Sequence, residues 1–122
     1  MAVALTVSAS TPFVPPGAID AFVDRLIERF HPEQVILFGS FARGDERPGS
    51  DVDILVILPF EGLPVRTAAQ ILVELNPTFP VEIVARTPAM MADRAESGDP
   101  MLGMILKEGR VLYAAGNHSL AA

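Results

Sequence analysis

The sequence predicts a single α/β (α+β) domain, a small β-sheet with helices packed on it, and three observations carry that expectation. Stretches of helical periodicity alternate with short apolar runs along the chain, from residues 18–30 to residues 110–114. The run "VDILVIL", residues 52–58, is too continuously apolar for a strand with one wet face, so it predicts a central strand covered on both sides. At 122 residues the chain has the size of one domain, able to bury about two-thirds of its unfolded surface, and a second catalytic or substrate domain does not fit.

Each element follows from local chemistry. Residues 11–17, "TPFVPPG", hold three prolines and a glycine and predict an extended lead-in. Ile19, Phe22, Val23, Leu26, Ile27 and Phe30 then fall on one face of a helix that Pro32 ends. Residues 34–38 are short, apolar and β-branched, a buried strand. After the strand at 52–58, Pro64 suits a first helical position, and Val65, Ala68, Ala69, Leu72 and Leu75 mark a helical stripe up to Asn76-Pro77. "PVEIVA", residues 80–85, predicts a third strand. Thr87-Pro88 and Asp99-Pro100 each pair a helix cap with proline at the first helical position, predicting two helices of about eight residues, the second closed by Gly109. "RVLYA" is the last strand.

Composition narrows the function classes. No cysteine is present, so disulfide and thiol chemistry are excluded, and a reducing cytoplasmic setting is expected. A net charge of -6 argues against binding nucleic acid through its phosphates, which depends on clustered Lys and Arg. Apolar residues make up 50% of the chain, yet no stretch approaches the roughly 20 residues of a membrane helix. No membrane span is expected; surplus apolar surface points to a partner or a homo- or hetero-oligomer.

Chemistry concentrates in "VILFGSFARGDERPGSDVDILVIL", residues 35–58. Gly39 lets a ligand approach the main chain, Ser40 adds a hydroxyl and an N–H, and a short helix opening at "SFAR" would present free N–H groups to a phosphate, with Arg43 adding positive charge. The same dipeptide also serves as an ordinary turn. Asp51 and Asp53, two residues apart, point to one side of a strand with Cα atoms about 6.6 Å apart, and both stay ionised beside apolar neighbours only where cations neutralise them. Mg²⁺, a hard cation that combines one or two carboxylates with substrate phosphates, suits them. The plain alternative has Asp51 capping the loop and Asp53 solvated at a sheet edge, which the apolar residues 54–58 disfavour. Glu82 is a lone acid inside the third apolar run; if that strand neighbours the one carrying Asp53, three acids share one place. Three acids, two metals and a triphosphate are the parts of two-metal phosphoryl chemistry.

These residues resemble a family. Gly39-Ser40, ten residues, then Asp51-Val52-Asp53 is similar to the G-S-x10-D-x-D signature of the minimal nucleotidyltransferases, a single-domain branch of the DNA polymerase beta-like nucleotidyltransferase superfamily. The resemblance runs from Ala18 to Ala114 and includes the ending "GDPMLGMILKEGRVLYAA". It implies a mixed sheet flanked by helices, with an arm at 1–17, the nucleotidyltransferase domain at 18–115 and a flexible tail at 116–122. It further implies binding of a nucleoside triphosphate, ATP, with two Mg²⁺ ions, and transfer of a nucleoside monophosphate to an acceptor hydroxyl. Gly39, Ser40 and Arg43 would hold the nucleotide; Asp51, Asp53 and Glu82 would be the catalytic metal ligands. Many members of this branch are antitoxins that transfer AMP to a tyrosine of a HEPN-domain toxin partner. The matching third acid of the family is typically aspartate; Glu82 ligates Mg²⁺ but reaches one methylene further, a departure that bears on transfer rather than fold. An antitoxin that binds nucleotide but neutralises its partner by complex formation is the second expectation.

Other residues fit simpler roles. His31 sits at a helix end and His118 in the tail, giving no support to a zinc or Ser-His system. Met90, Met91, Met101 and Met104 suit either core or an adaptable partner surface. Arg86 could reach phosphates or stay solvated after its strand; Lys107 complements a helix dipole, and Tyr113 packs.

Overall fold

The computed structural model describes residues 14–116, apart from the side chains of 95–97. Most of the expected arm, the tail beyond Gly116 and His118 lie outside the described residues. Helix α1 spans Ala18–Phe30 and buries Phe22, Val23 and Leu26; it stops where His31 turns left-handed (φ 51°) and its N–H closes on the Ile27 carbonyl. Strand β1, Gln34–Phe38, runs into the single-turn helix α2, Ser40–Arg43. After the loop come β2 (Val52–Ile57), α3 (Pro64–Leu75), β3 (Val81–Arg86), α4 (Pro88–Ser97), α5 (Pro100–Glu108) and β4 (Arg110–Ala114). The second and third strands differ from the expected ranges by one residue, at Leu58 for β2 and by a shift to 81–86 for β3.

The caps of the two late helices hold as chemistry. The Met90 amide donates to Thr87 Oγ1 at 3.1 Å, and Asp99 Oδ1 accepts from the amides of Met101 and Leu102 at 2.9 and 3.3 Å. Both helices are slightly longer than expected, ten and nine residues. Gly109 ends α5 in an extended conformation (φ -72°), so its reason is room: a Cβ there would overlap the Ile105 carbonyl and the Ile36 side chain.

The four strands form one mixed sheet in the order β3-β2-β1-β4, with β1 antiparallel to both neighbours and β3 parallel to β2. A parallel neighbour needs a long crossover, which α3 supplies. Side-chain alternation then splits the core in two. Val35, Leu37, Val52, Ile54 and Val56 face α1 and α3, where Phe22, Leu26, Ile71 and Leu75 close the larger cluster. Ile36, Phe38, Leu55 and Ile57 face the other way, against Ile105 of α5 and Met91 of α4. The central strand is therefore covered on both faces, and Asp53, in phase with Leu55 and Ile57, belongs to the second face.

Ile71 is fully buried in the larger cluster. Trimming it to valine removes one methylene from a packed site, so Ile71→Val should cost about 1 kcal/mol. In a domain of this size the melting temperature then falls by about 4 °C, measurable by circular dichroism.

Candidate active site

Two adjacent strands and one turn build the site. In the parallel β2–β3 pair Asp53 stands directly opposite Glu82, and in the antiparallel β1–β2 pair it stands opposite Phe38, the residue that leads into Gly39. The acid of β2 is thus flanked on one side by the acid of β3 and on the other by the strand-to-helix turn. Asp51 lies just before β2 and is exposed.

Gly39 is buried and has φ 77° and ψ -156°, a conformation open essentially only to glycine. A Cβ on it would occupy the space of the Asp53 carboxylate. The turn and the acid are therefore in contact, and glycine is required there twice, by conformation and by space. Its carbonyl accepts from the amides of Ala42 and Arg43 at 3.0 and 3.1 Å, which closes the single turn of α2. The first amides of that turn, at Ser40 and Phe41, lie beyond the reach of intrahelical acceptors.

Electrostatics mark the pair as charge-frustrated. The Asp53 carboxyl is pushed up from 3.8 to about 6, first by partial burial, then by the negative charge of Glu82 and a hydrogen bond shared with it, and further by Asp51. Two carboxylates share a hydrogen bond only while one of them is protonated, so the pair favours holding a proton or a cation between its two acids. Arg43 pulls in the opposite direction, lowering Asp53, though its guanidinium is itself held by Asp45 at 3.2 Å and Glu108 at 3.1 Å.

The donor set fits Mg²⁺. Among the described residues no three His, Cys, Asp or Glu side chains converge into a ready cage. A paired Asp53 and Glu82 with Asp51 nearby nonetheless match an ion that takes one or two carboxylates and completes its shell with water and phosphate oxygens. A cation there would relieve the repulsion between the Asp53 and Glu82 carboxylates.

The structure brings Gly39, Asp53 and Glu82 together, sets Asp51 at the rim and Arg43 within electrostatic range, and places Ser40 at the start of α2. Arg86 stays apart: half-buried, it donates from Nη1 to the Ala85 carbonyl at 2.7 Å. Tyr113 packs partly buried against the larger core. Of the methionines, Met91 joins the second core cluster, whereas Met101 and Met104 are exposed. Sequence reasoning gave Glu108 no site role, although it falls in the ending "GDPMLGMILKEGRVLYAA" that carries part of the resemblance. No helix among the described residues is long and apolar enough to cross a membrane.

Comparison with known proteins accords with this geometry. Several solved structures share the fold. One is a candidate nucleotidyltransferase from Sulfolobus solfataricus, 21% identical, with a TM-score of 0.57 over 80% of this chain and 78% of that one. Another is a toxin–antitoxin complex with AMP-PNP, 18% identical, TM-score 0.53, over 84% of this chain and 78% of that one. A third is a mutant form of the toxin–antitoxin pair MntA–HpeT, 18% identical, TM-score 0.53, over 84% and 77%. No curated protein matches the sequence at a significant level. The profile of the nucleotidyltransferase domain matches residues 19–112, which takes in the glycine turn, all three acids, three whole strands of the sheet and the start of the fourth. With that match over most of its length and the acid pair set against Gly39, the chain belongs to the nucleotidyltransferase domain family.

Proposed function

We propose that this protein transfers AMP from ATP, with Mg²⁺, to an acceptor hydroxyl, a tyrosine on a HEPN-domain toxin partner, and acts as the antitoxin of that pair. The observation that carries the reading is the Asp53–Glu82 pair set against Gly39. Support for the nucleotide comes from the family and from the AMP-PNP complex among the fold neighbours; support for the partner comes from the toxin–antitoxin pairs among them.

Each residue has a defined task. Gly39 brings the main chain close to the triphosphate, and the Ser40 hydroxyl and amide donate to phosphate oxygens. Arg43 adds a positive charge beside them. Asp53, Glu82 and Asp51 would hold the divalent ions, whose chemistry is to neutralise charge on the entering and leaving oxygens. The acceptor oxygen forms a bond to the α-phosphorus as the bond to the bridging oxygen breaks; pyrophosphate leaves, and the hydroxyl proton passes to a carboxylate of the pair.

Incubation with labelled ATP, Mg²⁺ and the protein encoded beside it tests the reading: the label should move to a tyrosine of that protein. An intact protein that binds ATP and transfers nothing would instead favour neutralisation by contact. Exposed Met101, Met104, Leu106 and Val111 give that second reading an apolar surface.

Glu82 supplies its own test. Glu82→Asp retracts the carboxylate by one methylene, to the acid typical of the family, and should raise transfer by about threefold to tenfold. Glu82→Gln removes the charge and should lower it by about a hundredfold. Initial rates of label incorporation decide; equal rates for both variants would show that Glu82 takes no part.

A further inference from the structure

We propose that Glu108 is a positioning residue for nucleotide binding: from the end of α5 it holds the Arg43 guanidinium beside the Gly39–Ser40 turn and away from the Asp53–Glu82 pair. The inference rests on the reading of that turn as a triphosphate pocket.

Arg43 is the last residue of α2, three positions after Ser40. Its side chain is long, and a free arginine in that place has many rotamers and a strong pull toward the nearest carboxylates. Two anchors restrain it. Nε donates to Asp45 Oδ2 at 3.2 Å, a local bond two residues away, and Nη1 donates to Glu108 Oε1 at 3.1 Å across 65 residues of chain. Among the described residues Nη2 makes no hydrogen bond, so one arm of the fork remains to meet an anion.

The longer anchor is built into the fold. Glu108 ends α5 and Gly109 follows it, and only a glycine lets the chain pass so close to Ile105 and the Ile36 side chain of β1. That close approach presses the last turn of α5 on the strand that leads into Gly39 and α2. Glu108 therefore reports the position of α5 directly to the phosphate turn.

A competing attraction makes the anchor necessary. Asp51, Asp53 and Glu82 place three acids near the turn, and the charge of Arg43 is already felt at Asp53. Without Glu108 the guanidinium is drawn toward those acids, where it would compete with the cation and leave the phosphates. Exposed ion pairs contribute little to folding, so the pair has scope to act on binding with little effect on stability.

The test is calorimetric titration with ATP and Mg²⁺, alongside KM for ATP and kcat for transfer to the partner, on the wild type, Glu108→Ala, Glu108→Gln, Arg43→Ala and the double Arg43→Ala/Glu108→Ala variant. Glu108→Ala should raise Kd and KM about fivefold with kcat within about twofold. Glu108→Gln keeps an acceptor oxygen at the same reach and should lose about twofold. The double variant should bind ATP as Arg43→Ala does, because nothing is left to position. Melting temperatures verify that each variant is folded; if Glu108→Ala is not, Glu108→Gln and Arg43→Ala carry the comparison. Unchanged ATP affinity in the folded Glu108 variants, or losses that multiply in the double variant, would overturn the inference alone. A wild type that binds no ATP would overturn it together with the functional reading.

Discussion

Asp53→Asn should abolish nucleotide transfer and at the same time make the protein more stable at neutral pH. Asp53 is the residue on which the site converges: opposite Glu82 in register, against Gly39, and within the field of Asp51 and Arg43. Asparagine keeps the shape and can donate a hydrogen bond to Glu82, but it removes a hard anionic ligand. A loss of about a thousandfold or more in rate is expected. The stability gain follows from the raised carboxyl. An acid whose folded pKa of about 6 exceeds its unfolded value near 3.8 stabilises the fold while protonated. That contribution is complete below about pH 4, declines as pH rises through about 6, and is absent above. The full shift would correspond to about 3 kcal/mol, and screening of a partly exposed carboxyl reduces it to about 1 kcal/mol. Asp53→Asn should thus melt about 4 °C higher than wild type at pH 7.5 and show a flatter pH dependence between 4 and 6. Thermal melts at four pH values and a label-transfer assay read both halves. A variant that is inactive and also less stable at pH 7.5 would mean that Asp53 supports the fold rather than strains it.

That opposition between function and stability explains which parts of the molecule were legible in the sequence. Helix α1 was legible because its six apolar positions repeat at helical spacing, and β2 because six apolar residues interrupted only by Asp53 suit a strand buried on both faces. Thr87 and Asp99 were legible because a cap acts on its own next few residues. Asp53 stood out as an acid inside a continuously apolar run, and Glu82 as a lone acid inside another, although Glu82 itself is exposed in the sheet. Their juxtaposition was not local. It depends on β3 lying parallel to β2 with Asp53 opposite Glu82, a register set by the length of α3 and its connections and by the match of the two apolar faces. Arg43 is harder still: its partner Glu108 lies 65 residues away on an exposed helix end, and nothing in an exposed acid singles it out. A long-range ion pair leaves no periodic trace in a sequence.

Gly39→Ala is the second large effect, and it distinguishes a glycine that shapes the site from one that merely turns the chain. At φ 77° and ψ -156° alanine is strained, which costs about 1–3 kcal/mol. The added methyl must also displace the Asp53 carboxylate, with a further cost of about 1–2 kcal/mol. A drop of about 8–15 °C in melting temperature is expected. Transfer should fall by about a hundredfold or more, because the displaced carboxylate is the one that faces Glu82. Gly44 is the control: it too has positive φ, at 83°, but a Cβ there meets nothing within 4 Å. Gly44→Ala should cost about 1 kcal/mol through conformation alone and leave transfer within about twofold. Combining Gly39→Ala with Asp53→Ala separates the two costs, since trimming the aspartate removes the overlap but not the strain. Part of the lost stability should return in that double variant, giving a favourable coupling of about 1–2 kcal/mol. Additive losses would mean that the methyl and the carboxylate never meet, and the close contact between the phosphate turn and the acid pair would have to be abandoned.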